Sequence, residues 1–364
     1  MFNQIILTIK PYFLDNPVFD GSDKDAIRLA DWLRERKGSP NTFVTYRVVV
    51  FRFYLWMKFK KIKLKRISRS DIFEYIDFMK KPDSDWCGNR RHFKHHEWRP
   101  FKEGLTVYSI NHNIQILRQL FSELTEFKYL RKNPYPKKVN LESKVKGLPI
   151  SRYLTKPECQ QIIKYINELP AKNYSEIEFK VRMKWVILFL LYTACRRCEL
   201  NGATMQSFFY RNNKLWIEVI GKGNQYGVVP ILKPLEDALN EYRAFYGLPS
   251  LANRTMDESH IPVVIKSRQG TVYQGFHHTT IWHNIKSICN SLADLSNEEL
   301  FVNKLRRVST HWFRHTSATL QVDAGIEIRI VQQVLRHKSI DTTMRYQHVD
   351  QDRQHDEMSA KFII

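Results

Sequence analysis

Residues 309–349 read STHWFRHTSATLQVDAGIEIRIVQQVLRHKSIDTTMRYQHV, a stretch in which helical periodicity and reactive side chains occur together. His311 and Arg314 are three positions apart, which places them on one face of a predicted helix, and Gly325 is typical of a helix end. An imidazole beside a guanidinium indicates an anion held between them. A core histidine with an ordinary hydrogen bond is the alternative that this segment leaves open.

The second half of this stretch predicts another helix. Its apolar stripe consists of Ile328, Val331 and Leu335, which recur at helical spacing. His337 follows the predicted helix end, and Tyr346 comes nine residues later on a short further helix. A second imidazole and a phenol therefore lie close in sequence to the first pair.

Working outward from this stretch, the segment TACRRCEL at 193–200 is the next informative feature. A strongly apolar helix from Trp185 to Cys195 is predicted to deliver Arg196, and three positions later Glu199, to its end. A guanidinium is a fork of donors that suits phosphate. A surface ion pair between the two side chains is the alternative at this point.

The segment KLWIEVIGKGNQYGVVPIL at 214–232 predicts a β-hairpin, because apolar residues alternate on both sides of a glycine-containing turn. Lys222 stands at the tip between Gly221 and Gly223, which would allow its ammonium to move into a site. A solvated turn lysine explains the same pattern. The rest of this carboxyl-terminal half is predicted to be mostly helical.

The amino-terminal part is predicted to be all-helical, with amphipathic patterns at 23–36, 39–59, 68–81 and 105–130. A segment without periodicity, 81–104, interrupts them as a long polar loop. Prolines and a charge run around 133–147 mark a linker. The fold class expected is mainly α with a small antiparallel β-sheet, in two domains.

Charge gives an independent indication of the partner. The chain of 364 residues has 58 Lys and Arg against 37 Asp and Glu, a net +21, while 43% hydrophobic residues suffice for a packed core and exclude a disordered polybasic chain. Residues 1–150 hold 30 basic and 16 acidic side chains, or +14 of that charge. We therefore expect a polyanion to bind, with its phosphates contacted by the run around FKKIKLKR: Lys58, Lys60, Lys61, Lys63, Lys65 and Arg66.

Other signals concern location and metal. The longest apolar run is far short of the ~20 residues that span a bilayer, and no secretion leader is recognisable, so a cytoplasmic protein with five reduced cysteines is expected. Cys195 and Cys198 form a lone C-x-x-C, which is weak evidence for metal. Cys87, His92, His95 and His96 could form a zinc site, but their spacing matches no standard pattern, so a histidine-rich loop lying on a polyanion is the simpler interpretation and no metal is expected.

These motifs together resemble the tyrosine recombinase or phage integrase family. The family's stretches run like T-G-x-R-x-x-E-L, G-K-G-x-x-x-x-x-V-P, H-x-L-R-H-T-x-A-T, L-G-H-x-S-I-x-T-T and Y-x-H-V. This chain has TACRRCEL, GKGNQYGVVP, HWFRHTSAT, LRHKSIDTT and YQHV in the same order. Two of the departures from the pattern concern glycine, because Ala194 and Arg336 stand where the family commonly has that residue. The likeness covers about residues 150 to 350.

The resemblance implies chemistry on duplex DNA. It makes Tyr346 the nucleophile that forms a 3′-phosphotyrosyl bond, and Arg196 and Arg314 the groups that hold the non-bridging oxygens. His311 would exchange the tyrosyl proton and Lys222 would protonate the departing 5′ oxygen. His337 would steady the developing charge and Glu199 would orient Arg196. No cofactor, metal or nucleotide is implied.

The resemblance also implies an organisation and partners. An extension at 1–22 precedes a helical core-binding domain at 23–134, a linker at 135–147 and a mixed α/β catalytic domain at 148–364. The carboxyl tail from 351 suits docking onto a neighbouring subunit in a homotetramer on DNA, with a related recombinase or accessory factor as a further partner. The function expected is site-specific recombination, with integration or excision of a mobile element as the outcome. Relaxation of DNA like a type IB topoisomerase, and DNA-binding regulation without cleavage, are the alternatives.

Overall fold

The chain divides into two compact units, Met1–Leu148 and Pro149–Ile364. The structure, a computed structural model, describes residues 2–14, 23–135, 152–221, 225–344 and 346. The predicted linker and the carboxyl tail therefore lie outside the described residues, except for Tyr135. In the described ranges no helix combines the length and the apolar composition needed to cross a bilayer.

The amino-terminal unit is helical in its described residues, as the periodicity predicted. Ser68 and Asp71 form a capping box at the start of its fourth helix, which fixes where that helix begins. The helices are α1 (Phe2–Ile9), α2 (Lys24–Arg34), α3 (Pro40–Phe59), α4 (Arg69–Lys80) and α5 (Val107–Glu126).

The core of this unit is rich in aromatic rings on α3, which is buried on most of its faces. The amino-terminal extension contributes to this core, because Ile9 and Phe13 are buried in it. The segment 81–104, predicted as a polar loop, also anchors itself there. Its buried aromatic side chains are Trp86, Phe93, Trp98 and Phe101.

The carboxyl-terminal unit has a helical core flanked by two small antiparallel sheets. Its helices in the described residues are α6 (Lys156–Asn167), α7 (Tyr174–Thr193), α8 (Arg197–Gly202), α9 (Lys233–Phe245), α10 (His278–Leu295), α11 (Glu299–Leu305), α12 (Thr310–Asp323), α13 (Ile328–Leu335) and α14 (Asp341–Met344). Helix α7 is the central one, with Trp185, Ile187 and Phe189 buried.

The predicted hairpin is present and belongs to a three-stranded sheet in the order β1-β2-β3, where β1 is Phe208–Arg211, β2 is Lys214–Gly221 and β3 is Gln225–Pro230. Leu215, Ile217 and Val219 alternate into the core, as the sequence predicted. A second pair, β4 (Ile265–Gln269) and β5 (Val272–Gly275), was missed where helix was expected. Its alternation is short and its strands are mostly exposed, so the hydrophobic pattern that marks a strand is weak there.

Candidate active site

The site is built around Arg314, whose side chain is buried on α12. Its Nη1 donates to the carbonyl oxygen of Ala194 at 2.7 Å, and its Nη2 donates to the carbonyl oxygen of Leu335. These carbonyls lie at the carboxyl ends of α7 and α13, where the helix dipole favours a cation. One guanidinium therefore fixes two helix ends against α12, and part of its five N–H groups remains for an anion.

Both residues that replace a family glycine lie at these helix ends. Ala194 has φ +52° and Arg336 has φ +53°, so each adopts the left-handed conformation that glycine adopts without strain. The helix that was expected to run to Cys195 therefore ends at Thr193, and Arg196 becomes the residue that precedes α8. The backbone turn that the family makes with glycine is kept here with other residues, at a cost of roughly 1 kcal/mol each.

Arg196 and Glu199 form an ion pair, but it is not the solvated surface pair that is the alternative from sequence alone. Glu199 is fully buried, and its Oε1 accepts from Arg196 Nη1 at 2.7 Å. Its Oε2 accepts from the backbone N–H of Arg196 at 2.7 Å, and from Arg336 Nη2 at 2.6 Å. The Arg196 side chain stays 34% exposed, so it is held by a buried carboxylate and faces solvent.

The electrostatics follow from this clustering. Burial raises the pKa of Glu199, but the guanidiniums of Arg336 and Arg196 and the backbone N–H more than offset that, so its pKa lies below the ordinary value and it is ionised. Burial, together with the like charges of Arg196 and Arg336, lowers the pKa of Arg314 to about 10. Arg314 still carries its proton at neutral pH, and its site is strongly positive.

Tyr346 is buried beside these arginines. Its ring, 6% exposed, packs with Ala194, Ala318 and Val331, and its charge acts on the pKa of Arg314. The phenolic oxygen lies 2.6 Å from Nδ1 of His315, a hydrogen bond whose direction depends on the imidazole tautomer. The motifs in the sequence predict no role for His315, although it stands one turn after His311 on the same face of α12.

The two predicted histidines take different places around the phenol. His311 contacts the His315 ring, with centroids 4.4 Å apart. Burial, then the charges of Arg314 and Arg196, lower the pKa of His311, so it is neutral at neutral pH. His337 stacks on the Tyr346 ring at 6.4 Å, and its Nδ1 lies 2.9 Å from Oγ1 of Thr343. The structure thus groups both with Tyr346.

Lys222 lies outside the described residues, so its predicted position stays a prediction. The strands that flank it are described: β2 ends at Gly221, β3 begins at Gln225, and these two residues are partners in the antiparallel register. A Cβ on Gly221 would lie 3.1 Å from Oε1 of Glu199. The base of this hairpin therefore rests on the same carboxylate that holds Arg196.

The predicted phosphate contacts differ in their surroundings. Lys58 pairs with Asp23 at 3.1 Å, and Lys60 pairs with Glu74 at 2.5 Å, so both ammonium groups already face a carboxylate. A groove of about 1,010 Å³ has cations and no carboxylate among its lining residues. The basic residues that line it are Lys65, Arg66, Arg69, Lys128, Arg131 and Lys132.

The side chains that lie close together in the histidine-rich segment differ from the four residues considered above as zinc ligands. Among the described residues, His95, His96 and Glu97 have ligand atoms within 4.8 Å of one another, and Cys87 and His92 are not part of that group. Glu97 pairs with Arg91 at 3.4 Å, and the Lys10 ammonium donates to the carbonyl oxygen of His95. All five cysteines are free thiols, including the C-x-x-C pair.

Comparison with known proteins agrees with this geometry. The sequence profile of the phage integrase family matches residues 152–353, which is more than half of the chain. The chain belongs to the phage integrase family. It is 26% identical over 324 residues to the tyrosine recombinase XerD of Haemophilus influenzae, covering 88% of this chain and 91% of that relative.

Solved structures show the same fold. The XerH site-specific recombinase, in a post-cleavage complex with a palindromic difH substrate, aligns with a TM-score of 0.63 at 17% identity, covering 98% of this chain and 96% of that one. The Tn1549 transposon integrase with transposon right end DNA aligns with a TM-score of 0.58 at 16% identity, covering 100% and 99%. This member of the family is a tyrosine recombinase, an enzyme that breaks and rejoins DNA.

Proposed function

We propose that this tyrosine recombinase cleaves duplex DNA at a specific site through a 3′-phosphotyrosyl intermediate on Tyr346, and that it integrates or excises a mobile element. The observation that carries the proposal is the phenol of Tyr346, which is hydrogen-bonded to the imidazole of His315 and buried beside Arg314. A phenol has an ordinary pKa of ~10, so a nearby base and a positive field are what it needs to become a nucleophile at neutral pH.

Each group has one role in the proposed reaction. The phenolic oxygen of Tyr346 attacks phosphorus, the new O–P bond forms, and the bond from phosphorus to the 5′ oxygen breaks. Arg196 and Arg314 hold the non-bridging oxygens as phosphorus becomes five-coordinate, and His337 adds a further donor. Lys222 protonates the departing 5′ oxygen. The free 5′ hydroxyl then attacks the phosphotyrosyl bond of a partner duplex, so strand exchange needs no metal or nucleotide.

The tyrosyl proton has two histidines near it. His315 is hydrogen-bonded to the phenolic oxygen, and His311 contacts the His315 ring. We assign the direct transfer to His315 and the relay of that proton to His311, which revises the expectation that His311 acts on the phenol directly. Proton transfer of this kind accelerates a reaction by about 10²- to 10⁴-fold.

The pH dependence tests this assignment. Because burial and the neighbouring arginines lower the pKa of His311 from its ordinary 6.5, its basic form persists below that pH. We expect the rate of adduct formation to stay level as pH falls through 6.5 and to decline only below it. His311→Gln is expected to change the pH at which this decline begins, because the relay is lost while His315 still accepts the proton, and a single-turnover rate measured against pH decides. A decline that begins above the ordinary histidine pKa would contradict a lowered value.

The groove of the amino-terminal unit is proposed as the DNA backbone site of that unit. No carboxylate is among the residues that line this groove, whereas Lys58 and Lys60 each form an ion pair with a carboxylate. We therefore expect Arg66→Ala and Arg131→Ala each to flatten the slope of log affinity against log salt by about one unit. Lys60→Ala is the matched control and should change the slope less, since its ammonium pairs with Glu74. Equal slopes for all three variants would contradict the assignment.

Trapping the intermediate tests the proposed function. The substrates are duplexes that cover the DNA flanking the gene, each with a nick at a different position. Cleavage close to a nick releases a short fragment that carries the 5′ hydroxyl. Religation then cannot occur, and the protein stays attached to the DNA. The proposal expects an adduct that survives detergent on duplexes from one site, and direct repeats that mark the ends of the element. Absence of an adduct on every duplex would support a DNA-binding regulator instead.

The need for several subunits and two DNA sites distinguishes a recombinase from a type IB topoisomerase. We propose that a homotetramer on two DNA sites carries out exchange in the cytoplasm, with an accessory factor or a related recombinase as further partners. Relaxation of supercoiled plasmid by dilute protein, without paired sites, would favour the topoisomerase. Recombination that requires two sites and rises steeply with protein concentration is the expected result.

A further inference from the structure

Arg336 occupies a place where the family commonly has glycine, and its side chain is not directed to solvent. It is 10% exposed, and its Nη1 donates to the carbonyl oxygen of Val334 at 2.7 Å. Its Nη2 donates to Oε2 of Glu199 at 2.6 Å, with the Sγ of Cys195 at 3.8 Å. The long side chain therefore crosses from the end of α13 to the carboxylate that holds Arg196.

A glycine on β3 makes room for this path. A Cβ added to Gly227 would overlap Cδ of Arg336 and lie 3.0 Å from its Cγ. Position 227 falls on an unspecified position of the family stretch G-K-G-x-x-x-x-x-V-P, so the pattern itself does not call for glycine there. Both ends of the guanidinium are held, so the side chain has no easy way to move aside. Arg336 and Gly227 thus form a matched pair.

The pairing changes the charge around Glu199. A buried carboxylate with one arginine partner is costly unless its remaining lone pairs are also satisfied. Here Arg196 takes Oε1 and Arg336 takes Oε2, and the Arg336 charge is the largest of the effects that lower the pKa of Glu199. With Arg314, three guanidiniums and one carboxylate leave two net positive charges at this position, which favours an anion there.

We propose that Arg336 is a positioning residue for the cleavage reaction: it clamps Glu199 in place, and Glu199 in turn holds the Arg196 guanidinium towards the scissile phosphate. This inference rests on the proposed function. Arg336 does not contact the reacting atoms, and Gly227 is required because it admits the clamp.

A double-mutant cycle on Arg336 and Gly227 tests the inference. Arg336→Gly restores the residue that adopts a left-handed backbone without strain, so the variant is expected to fold. We expect its single-turnover rate of adduct formation on the trapped duplex to fall by about 10- to 100-fold, as for lost support of a catalytic group, with DNA affinity changed less than about threefold. Arg336→Lys, which keeps a cation, is expected to recover part of the rate.

Gly227→Ala completes the cycle. In the unaltered chain it is expected to lower the rate by about tenfold because it displaces the clamp, and in the Arg336→Gly background it is expected to have no effect. Arg329→Met on the exposed start of α13 is the matched control and should retain the rate. The decline of the rate at low pH should also become steeper in Arg336→Gly, because Glu199 loses the charge that lowers its pKa and its protonation adds to that of His311.

The outcomes separate the two proposals. An unaltered chain that forms no adduct refutes the proposed function and the clamp with it. The proposed role of Arg336 alone is overturned if the unaltered chain forms the adduct and Arg336→Gly forms it at the parental rate from about pH 5 to 9. Equal effects of Gly227→Ala in both backgrounds overturn it as well, because the two residues would then act independently.

Discussion

Tyr346→Phe is expected to form no covalent adduct on the nicked duplexes, while its affinity for them stays within about twofold of the unaltered chain. The substitution removes one oxygen, and that oxygen is the atom proposed to attack phosphorus. The ring itself packs with Ala194 and Val331, and phenylalanine keeps those contacts. Stability is expected to fall by about 1 kcal/mol at most, for the lost hydrogen bond to His315.

The matched control for this variant is Tyr153→Phe. Tyr153 belongs to the same unit, and its ring lies under the ammonium of Lys304, a contact that a phenyl ring keeps. It is expected to form adduct at the parental rate. An adduct formed by Tyr346→Phe would mean that another side chain attacks the phosphate, and the assignment of the nucleophile would fail.

Arg314→Lys is expected to have the second largest effect, with cleavage slower by about 10³-fold. An ammonium keeps the charge but cannot span the carbonyl oxygens of Ala194 and Leu335, which the guanidinium joins. Leaving one buried acceptor unsatisfied costs about 1–3 kcal/mol, so unfolding in denaturant should begin at a lower concentration. The slower cleavage and the lower stability have one cause, because the Arg314 guanidinium links two helix ends.

Arg329→Lys serves as the control for this exchange, since Arg329 is exposed on α13. It should leave cleavage and the unfolding midpoint near their parental values. If Arg314→Lys lowers stability but leaves the single-turnover rate unchanged under conditions where the protein is folded, Arg314 has a structural role only. That result would remove the electrostatic centre of the proposed site.

Much of the fold is predictable from local pattern. The periodicity of α3, the Thr155 cap of α6 and the alternation on β2 each depend on a few neighbouring residues. The cap of α4 was predicted at Ser70 and lies at Ser68, because Ser68 is the residue that forms the capping box with Asp71. The buried aromatic rings of 81–104 were not predictable, because their burial depends on helices distant in sequence. The strands β4 and β5 were missed for a related reason. Backbone hydrogen bonds between the two strands hold them together, and their side chains are mostly exposed, so the sequence shows little alternation of apolar and polar residues there.

The site shows the same division. Arg196, His311, Arg314, His337 and Tyr346 were predicted from motifs, and the structure brings them together with Glu199. His315 was missed, although its spacing of four from His311 places both on one face of α12. The path of Arg336 could not be read from the sequence, because it depends on the left-handed turn at 336 and on the space above Gly227.

The most direct measurement is to digest the trapped adduct and identify both the residue and the DNA end that are joined. We predict one peptide that contains Tyr346, joined to a 3′ phosphate, with a free 5′ hydroxyl on the released strand. An adduct on any other residue, or one joined to a 5′ phosphate, would contradict the convergence of the phenol and the arginines on a single phosphodiester.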